Sequence, residues 1–288
     1  MRPPQDPAWF DAQYNNRGLV PEHAQILQRW LAASSMARGA PGALHDIAYG
    51  PGSAETLDLY PPVAGGATGA APALVFIHGG YWRSMDKAEH AFVAPSFNAD
   101  GALVVVPNYA LAPAVSIEHI TLQMTAALAW TWRNAARYGG DPTRIAVAGH
   151  SAGGHLVAML MSCRWKQVAE DLPAQLVCGG LAISGLFDLE PIRCTPFLQV
   201  DLQLTPPSVK RLSPAFFPRP RVPLYAVAGG DESDEFIRQN RLIRDVWGPT
   251  AVPVCETLAR RNHFTVLESL ADPAGRLHEL ALRLLGLR

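Results

Sequence analysis

The sequence predicts an α/β architecture, a mostly parallel central sheet with helices on both faces. Three observations carry this. Short unbroken apolar runs recur along the chain. Amphipathic stretches fall between them. The composition is that of an ordered globular chain, with 49% hydrophobic and 17% charged residues. A parallel strand covered on both faces has no solvent side, so it is apolar throughout rather than alternating.

The apolar runs are 73–77, 102–106, 144–148, 180–183 and 224–228, with one further strand expected at 252–258. Helical stretches are expected at 86–99, 117–138, 153–165 and 235–246. A closing amphipathic helix at 274–287 carries Leu277, Leu280, Leu284 and Leu285 on one stripe. This alternation of strand and helix is what a parallel sheet requires. The helix-like stretch 22–37 precedes the sheet. It either caps the mouth of a site, as part of an N-terminal segment 1–45, or simply packs; both readings stay open. Two breaks interrupt the order. Residues 61–72 are rich in Gly, Pro and Ala and read as a long hairpin connection. Residues 193–223 hold seven prolines and read as an irregular excursion of the lid or binding-loop kind. Neither is a domain boundary, so one domain over 1–288 is expected.

A formal net charge of −1 gives no basic surplus for nucleic acid or an anionic membrane. The N-terminus has no apolar core of the signal-peptide kind, and no apolar run approaches the ~20 residues that span a bilayer. A soluble cytoplasmic protein acting on a small molecule is expected; a homodimer is an open expectation. Cys163, Cys178, Cys194 and Cys255 are far apart and read as free thiols. His150 and His155 lie off a common helical face, and no cluster has ligand spacing, so neither metal nor cofactor is expected.

The chemistry lies in two glycine motifs. Gly149-His150-Ser151-Ala152-Gly153 follows the apolar run 144–148 and opens a helix. That is the setting of a nucleophile elbow, a sharp strand-to-helix turn that exposes the serine hydroxyl. Ser151 is the expected nucleophile. His78-Gly79-Gly80-Tyr81-Trp82 ends the run 73–77. A His-Gly-Gly turn after a buried strand supplies backbone N–H groups to a developing oxyanion. Gly79, Gly80 and Ala152 are the expected donors, and His78 reads as structural. Together these motifs predict an α/β-hydrolase fold. Its order of nucleophile, acid, base leaves His263 or His278 as base. His263, in a loop after the last strand, fits; His278 lies inside the closing helix. The acid is expected at Asp231, just past the run 224–228 and two glycines, with Asp188 as runner-up. Asp234 reads as a helix N-cap.

The motifs around Tyr81-Trp82, Ser151, Asp188, Asp231 and Asn262-His263-Phe264 together resemble kynurenine formamidases (arylformamidases), an esterase/lipase branch of the α/β-hydrolases. The resemblance runs from about Tyr14 to the end of the chain. It implies a Ser151–His263–Asp231 triad that cleaves an N-formyl aryl amide to formate and the free amine. Tyr81 and Trp82 would close the acyl side, and Phe187 would help bind substrate. A carboxylesterase acting on short-chain or aryl esters needs the same machinery and is the alternative.

Overall fold

The computed structural model describes residues 6–63 and 69–288. The early termini residues 1–5 and the middle of the 61–72 connection lie outside the described residues. Eight strands form one sheet: β1 (Leu44–Ala48), β2 (Thr56–Tyr60), β3 (Ala71–Ile77), β4 (Leu103–Pro107), β5 (Gly140–His150), β6 (Gly179–Ile183), β7 (Leu224–Gly229) and β8 (Val254–Leu258). Their spatial order is β1-β2-β4-β3-β5-β6-β7-β8. The pairs from β4 through β8 are parallel, while β2 runs antiparallel to both β1 and β4. The expected hairpin across 61–72 is therefore corrected. β2 pairs with β4, and β3 lies beyond it.

The parallel strands are buried as their sequence demands. All seven residues of β3 and all five of β4 are buried. Their side chains alternate between two cores. Ala73, Val75 and Ile77 join one, Leu74 and Phe76 the other. Each fully buried Val, Leu, Ile or Phe contributes roughly 1.5–3 kcal/mol, which makes these strands the stable centre of the molecule.

Three helices precede the sheet: α1 (Pro7–Tyr14), α2 (Asn16–Leu19) and α3 (His23–Arg38). The stretch 86–99 is not one helix. It forms two 3₁₀ turns, Lys87–Glu89 and Ala91–Val93, then α4 (Ala94–Ala99), which Pro95 helps to begin. Then come α5 (Ile117–Asn134), α6 (Ala152–Met161) and the short α7 (Trp165–Val168). The 193–223 excursion is more regular than expected. It holds α9 (Pro196–Leu202) and α10 (Pro206–Leu212), after α8 (Glu190–Arg193). Pro196, Pro206 and Pro207 sit in first turns of these helices and Pro214 opens a 3₁₀ turn, places where a missing N–H costs nothing. In helix α11 (Asp234–Ala251) the N-cap position falls on Ser233 rather than Asp234, with no capping bond from the serine side chain. Last come α12 (Thr265–Ala271) and α13 (Arg276–Leu285). α5, α6 and α11 cover one face through Ile120, Met124, Leu156, Phe236 and Ile243; α3, α12 and α13 cover the other through Ile26, Leu270, Leu277 and Leu280. No described helix is long and apolar enough to cross a membrane.

Register brings the working loops together. Ile77 pairs with Gly149, His150 with Ile183, Ile183 with Val227, and Gly229 with Leu258. The carboxyl ends of β3, β5, β6, β7 and β8 thus lie along one edge, where open α/β sheets bind their ligands.

Candidate active site

Ser151 stands between the last residue of β5 and the first of α6, with φ 56 and ψ −115. This is left-handed backbone for a residue with a side chain, a strain of about 1–3 kcal/mol that the surroundings must hold. The Ser151 N–H donates to the Ile183 carbonyl at 2.8 Å, and Ser151 accepts the His155 N–H on its own carbonyl at 3.1 Å. The elbow is thereby fixed to β6 on one side and to α6 on the other. Ser151 is 2% exposed and lines a cavity of about 450 Å³.

His263 lines the same cavity. Its loop is held by the buried His150 ring, whose Nε2 donates to the His263 carbonyl at 2.7 Å. Burial, and then the nearby His263, push the His150 pKa well below the usual range, so the ring stays neutral and keeps its other nitrogen free of a proton. The carboxylate on His263 Nδ1 belongs to Glu232, at 2.6 Å. The Glu232 side chain is fully buried. Its other oxygen, Oε1, accepts from the Ser184 hydroxyl and from the Gly229 N–H, each at 2.5 Å. A carboxylate fixed at both oxygens can hold the imidazole in one tautomer and stabilise its protonated form.

The expectation of Asp231 as the acid is therefore corrected. Asp231 is exposed, and its N–H donates to the Arg261 carbonyl at 3.0 Å. The turn after β7 directs the next side chain inward instead. Asp231 lines a smaller neighbouring cavity of about 160 Å³, together with Asn16, Glu232 and His263. Asp188 is buried elsewhere, capping the Glu190 N–H at 3.1 Å and lying 3.7 Å from Arg238.

The His78-Gly79-Gly80 turn leaves β3 and crosses beside the elbow. A Cβ on Gly79 would stand 3.2 Å from Ser151 Cβ and 2.8 Å from the His150 carbonyl oxygen, so the backbone approaches the nucleophile as closely as glycine allows. Gly80 has φ +99, and a Cβ there would meet the Ser84 carbonyl oxygen at 2.1 Å. Among the described residues, neither the Gly79 nor the Gly80 N–H donates to another backbone group. Ala152 opens α6, so its N–H has no intrahelical acceptor. Three free donors beside a nucleophile can bind an oxyanion, and each is worth roughly 3 kcal/mol of barrier. His78 is structural. Its ring stacks on Tyr109 at 4.2 Å, its two nitrogens face the Gly79 carbonyl and Asn108 Oδ1, and burial lowers its pKa. The Tyr109 hydroxyl bridges the His78 and Gly79 carbonyls at 2.9 and 3.1 Å.

Of the residues expected to bind substrate, only Tyr81 lines the cavity. Trp82 and Phe187 are fully buried away from it. Trp82 packs edge-on against His155 at 5.0 Å, and the Phe187 ring fills the space over Gly185. The remaining wall comes partly from the N-terminal segment, which the sequence left open as a cap or a packing helix, and partly from residues given no binding role there. Tyr14, Asn16 and Arg17 come from the N-terminal segment, with Leu27 and Trp30 from α3; Arg83 pairs with Asp201 at 2.5 Å; Phe197 comes from α9 and Phe264 follows His263. The N-terminal contribution had a faint signal, since the formamidase resemblance begins at about Tyr14. The Arg83–Asp201 pair had none, because it joins the loop after β3 to α9, more than a hundred residues on. Among the described residues no group of three or more His, Cys, Asp or Glu side chains could hold a metal ion.

Comparison with known proteins agrees with this architecture. The family described by its alpha/beta hydrolase fold matches residues 74–209. A kynurenine formamidase of Danio rerio is 29% identical over 288 residues, covering 97% of this chain and 94% of that protein. A solved structure from Silicibacter sp. tm1040, provisionally described as a thioesterase, is 28% identical with a TM-score of 0.81 and covers 93% of this chain and 97% of its own. An esterase of Pyrobaculum calidifontis shares the fold alone, at 20% identity and a TM-score of 0.68, covering 99% of this chain and 98% of its own. A parallel sheet with its working loops gathered at one edge, and the relatives that match this chain, together make it a hydrolase of the α/β-hydrolase fold, similar along nearly its whole length to the kynurenine formamidase of Danio rerio.

Proposed function

We propose that this hydrolase is an arylformamidase that works through Ser151, His263 and Glu232. The observation that carries the reading is the buried Glu232–His263 pair at 2.6 Å beside a strained serine in one cavity, in a chain similar along nearly its whole length to kynurenine formamidases. His263 takes the Ser151 proton as Oγ attacks the formyl carbon. Glu232 stabilises the imidazolium, and the N–H groups of Gly79, Gly80 and Ala152 receive the oxyanion. His263 then protonates the leaving amine. Water, deprotonated by the same histidine, releases formate and restores Ser151. The cavity walls supply Tyr14, Trp30, Tyr81, Phe197 and Phe264 for an aryl group.

One observation favours the carboxylesterase reading. Trp82, expected to close the acyl side, is withdrawn into the core, which leaves room for acyl groups larger than formyl. Rates on N-formylkynurenine against p-nitrophenyl acetate and butyrate separate the two. Formamide hydrolysis at least comparable to ester hydrolysis is expected. Butyrate turned over far faster than the formamide would make the enzyme an esterase.

A further inference from the structure

We infer that the N-terminal segment positions the oxyanion loop, with Tyr81 as the joint between them. The Tyr81 hydroxyl donates to the Tyr14 carbonyl at 2.8 Å and accepts from Asn16 Nδ2 at 3.1 Å. Its single proton is thus spent on the segment around α1 and α2, which also supplies a donor to its oxygen, so it has no proton to offer substrate. Tyr81 and Asn16 are positioning residues.

The loop needs such a hold. Gly80, Tyr81 and Trp82 follow one another with φ of 99, 51 and 56, and Met85 has φ 75. Left-handed backbone at three residues with side chains is not self-sustaining. Gly80 also has wide rotational freedom about the bond that orients its own N–H. Downstream of that N–H the turn is pinned at three places. The Gly80 carbonyl accepts from the Arg83 N–H, the Ser84 N–H and the Ser84 hydroxyl. Trp82 is buried, and its carbonyl accepts from the Ala112 N–H at 2.8 Å. Between these lies Tyr81, whose only side-chain anchors among the described residues' hydrogen bonds are Tyr14 and Asn16.

The segment is itself fixed to the acid side of the site. The Tyr14 hydroxyl donates to Glu235 Oε2 at 2.7 Å, and Glu235 accepts two further bonds from Arg238. The Tyr14 ring meets Phe236 edge-on at 5.6 Å. Helix α11, which carries these residues, begins two positions after Glu232. One chain of contacts therefore runs from the helix behind the carboxylate, through Tyr14, to the turn that presents the Gly80 N–H.

The inference rests only on the serine-hydrolase part of the proposed function, so it is tested on both p-nitrophenyl acetate and N-formylkynurenine. Tyr81→Phe keeps the ring and removes both bonds. It should lower kcat roughly 10- to 100-fold on whichever substrates the enzyme turns over, since a donor misplaced by about an ångström costs on that order, with KM within about threefold. Asn16→Ala should lose less, with its thermal midpoint unchanged, and adding it to Tyr81→Phe should cost nothing further. Raised KM at unchanged kcat in Tyr81→Phe, or a full additional loss in the double variant, would overturn the inference. Should Tyr81→Phe not fold, an unaltered kcat in Asn16→Ala alone would overturn it as well. The expected losses on the ester, in an enzyme with no formamide turnover, would refute the arylformamidase reading and leave this inference standing.

Discussion

Glu232 reaches His263 because its neighbours fix it from behind. Ser184 and the Gly229 N–H hold one oxygen, which aims the other at the imidazole. Replacing Glu232 with Gln keeps the size and removes the charge that stabilises the imidazolium. It should lower kcat by roughly 10³–10⁴, while Asp231→Asn stays within about threefold of the parent. Steady-state rates on one substrate decide this, and the reverse order of losses would return the acid to Asp231. The same neighbourhood shows what a sequence conceals. Ser151 and His263 are marked by local context, a strand before a helix and a loop after the last strand. Asp231 and Glu232 are adjacent, and local context cannot say which turns inward. The bond from the Asp231 N–H to the Arg261 carbonyl decides it, and that bond joins residues that no local pattern connects. Tyr81 and Trp82 pose the same problem. Successive left-handed residues send one ring to the cavity and the next into the core.

Among the elements, the central strands were legible because burial on both faces writes itself as an unbroken apolar run. The edge was not. β1 is half exposed, and β2 carries Asp58 in the middle of an otherwise buried strand. Asp58 is fully buried and accepts from Lys87 Nζ at 2.7 Å, from the Tyr60 hydroxyl at 3.2 Å and from Arg38 of α3. Lys87 is itself only 3% exposed and also meets Asp46 at 2.6 Å. This cluster joins α3 and the sheet edge to the 3₁₀ turn that follows the oxyanion loop. Asp58→Ala would leave a buried ammonium without its buried partner, and should cost about 3–5 kcal/mol in denaturant unfolding. A loss below about 1 kcal/mol would mean that Asp46 alone suffices for Lys87. The short helices α9 and α10 escaped a periodicity reading for a different reason. Each has seven residues, fewer than two apolar repeats need, and each opens on a proline that reads as a breaker until its place in the first turn is known.

The whole molecule carries an acid weakness in its buried histidines. Burial alone lowers His155 from 6.5 to about 4, and burial with a smaller push from His78 lowers His90 from 6.5 to about 3. Both are neutral in the folded state. The unfolded chain protonates them near 6.5 and so binds more protons below that pH, which makes stability fall as pH falls from 6.5 toward 4. The gap for His155 alone corresponds to about 3 kcal/mol. Unfolding midpoints measured between pH 7 and pH 4.5 should drop steadily, and a flat profile would contradict neutral burial. The Tyr14–Glu235 bond has a consequence of another kind. It spans 221 residues of chain. A ribosome delivers Tyr14 first, and its partner follows only after the whole of the chain between them has been made. Until then α1 has no α11 to dock on and the oxyanion turn has no strap. The nascent chain therefore cannot complete the site before α11 has been made, however early its first strands pair.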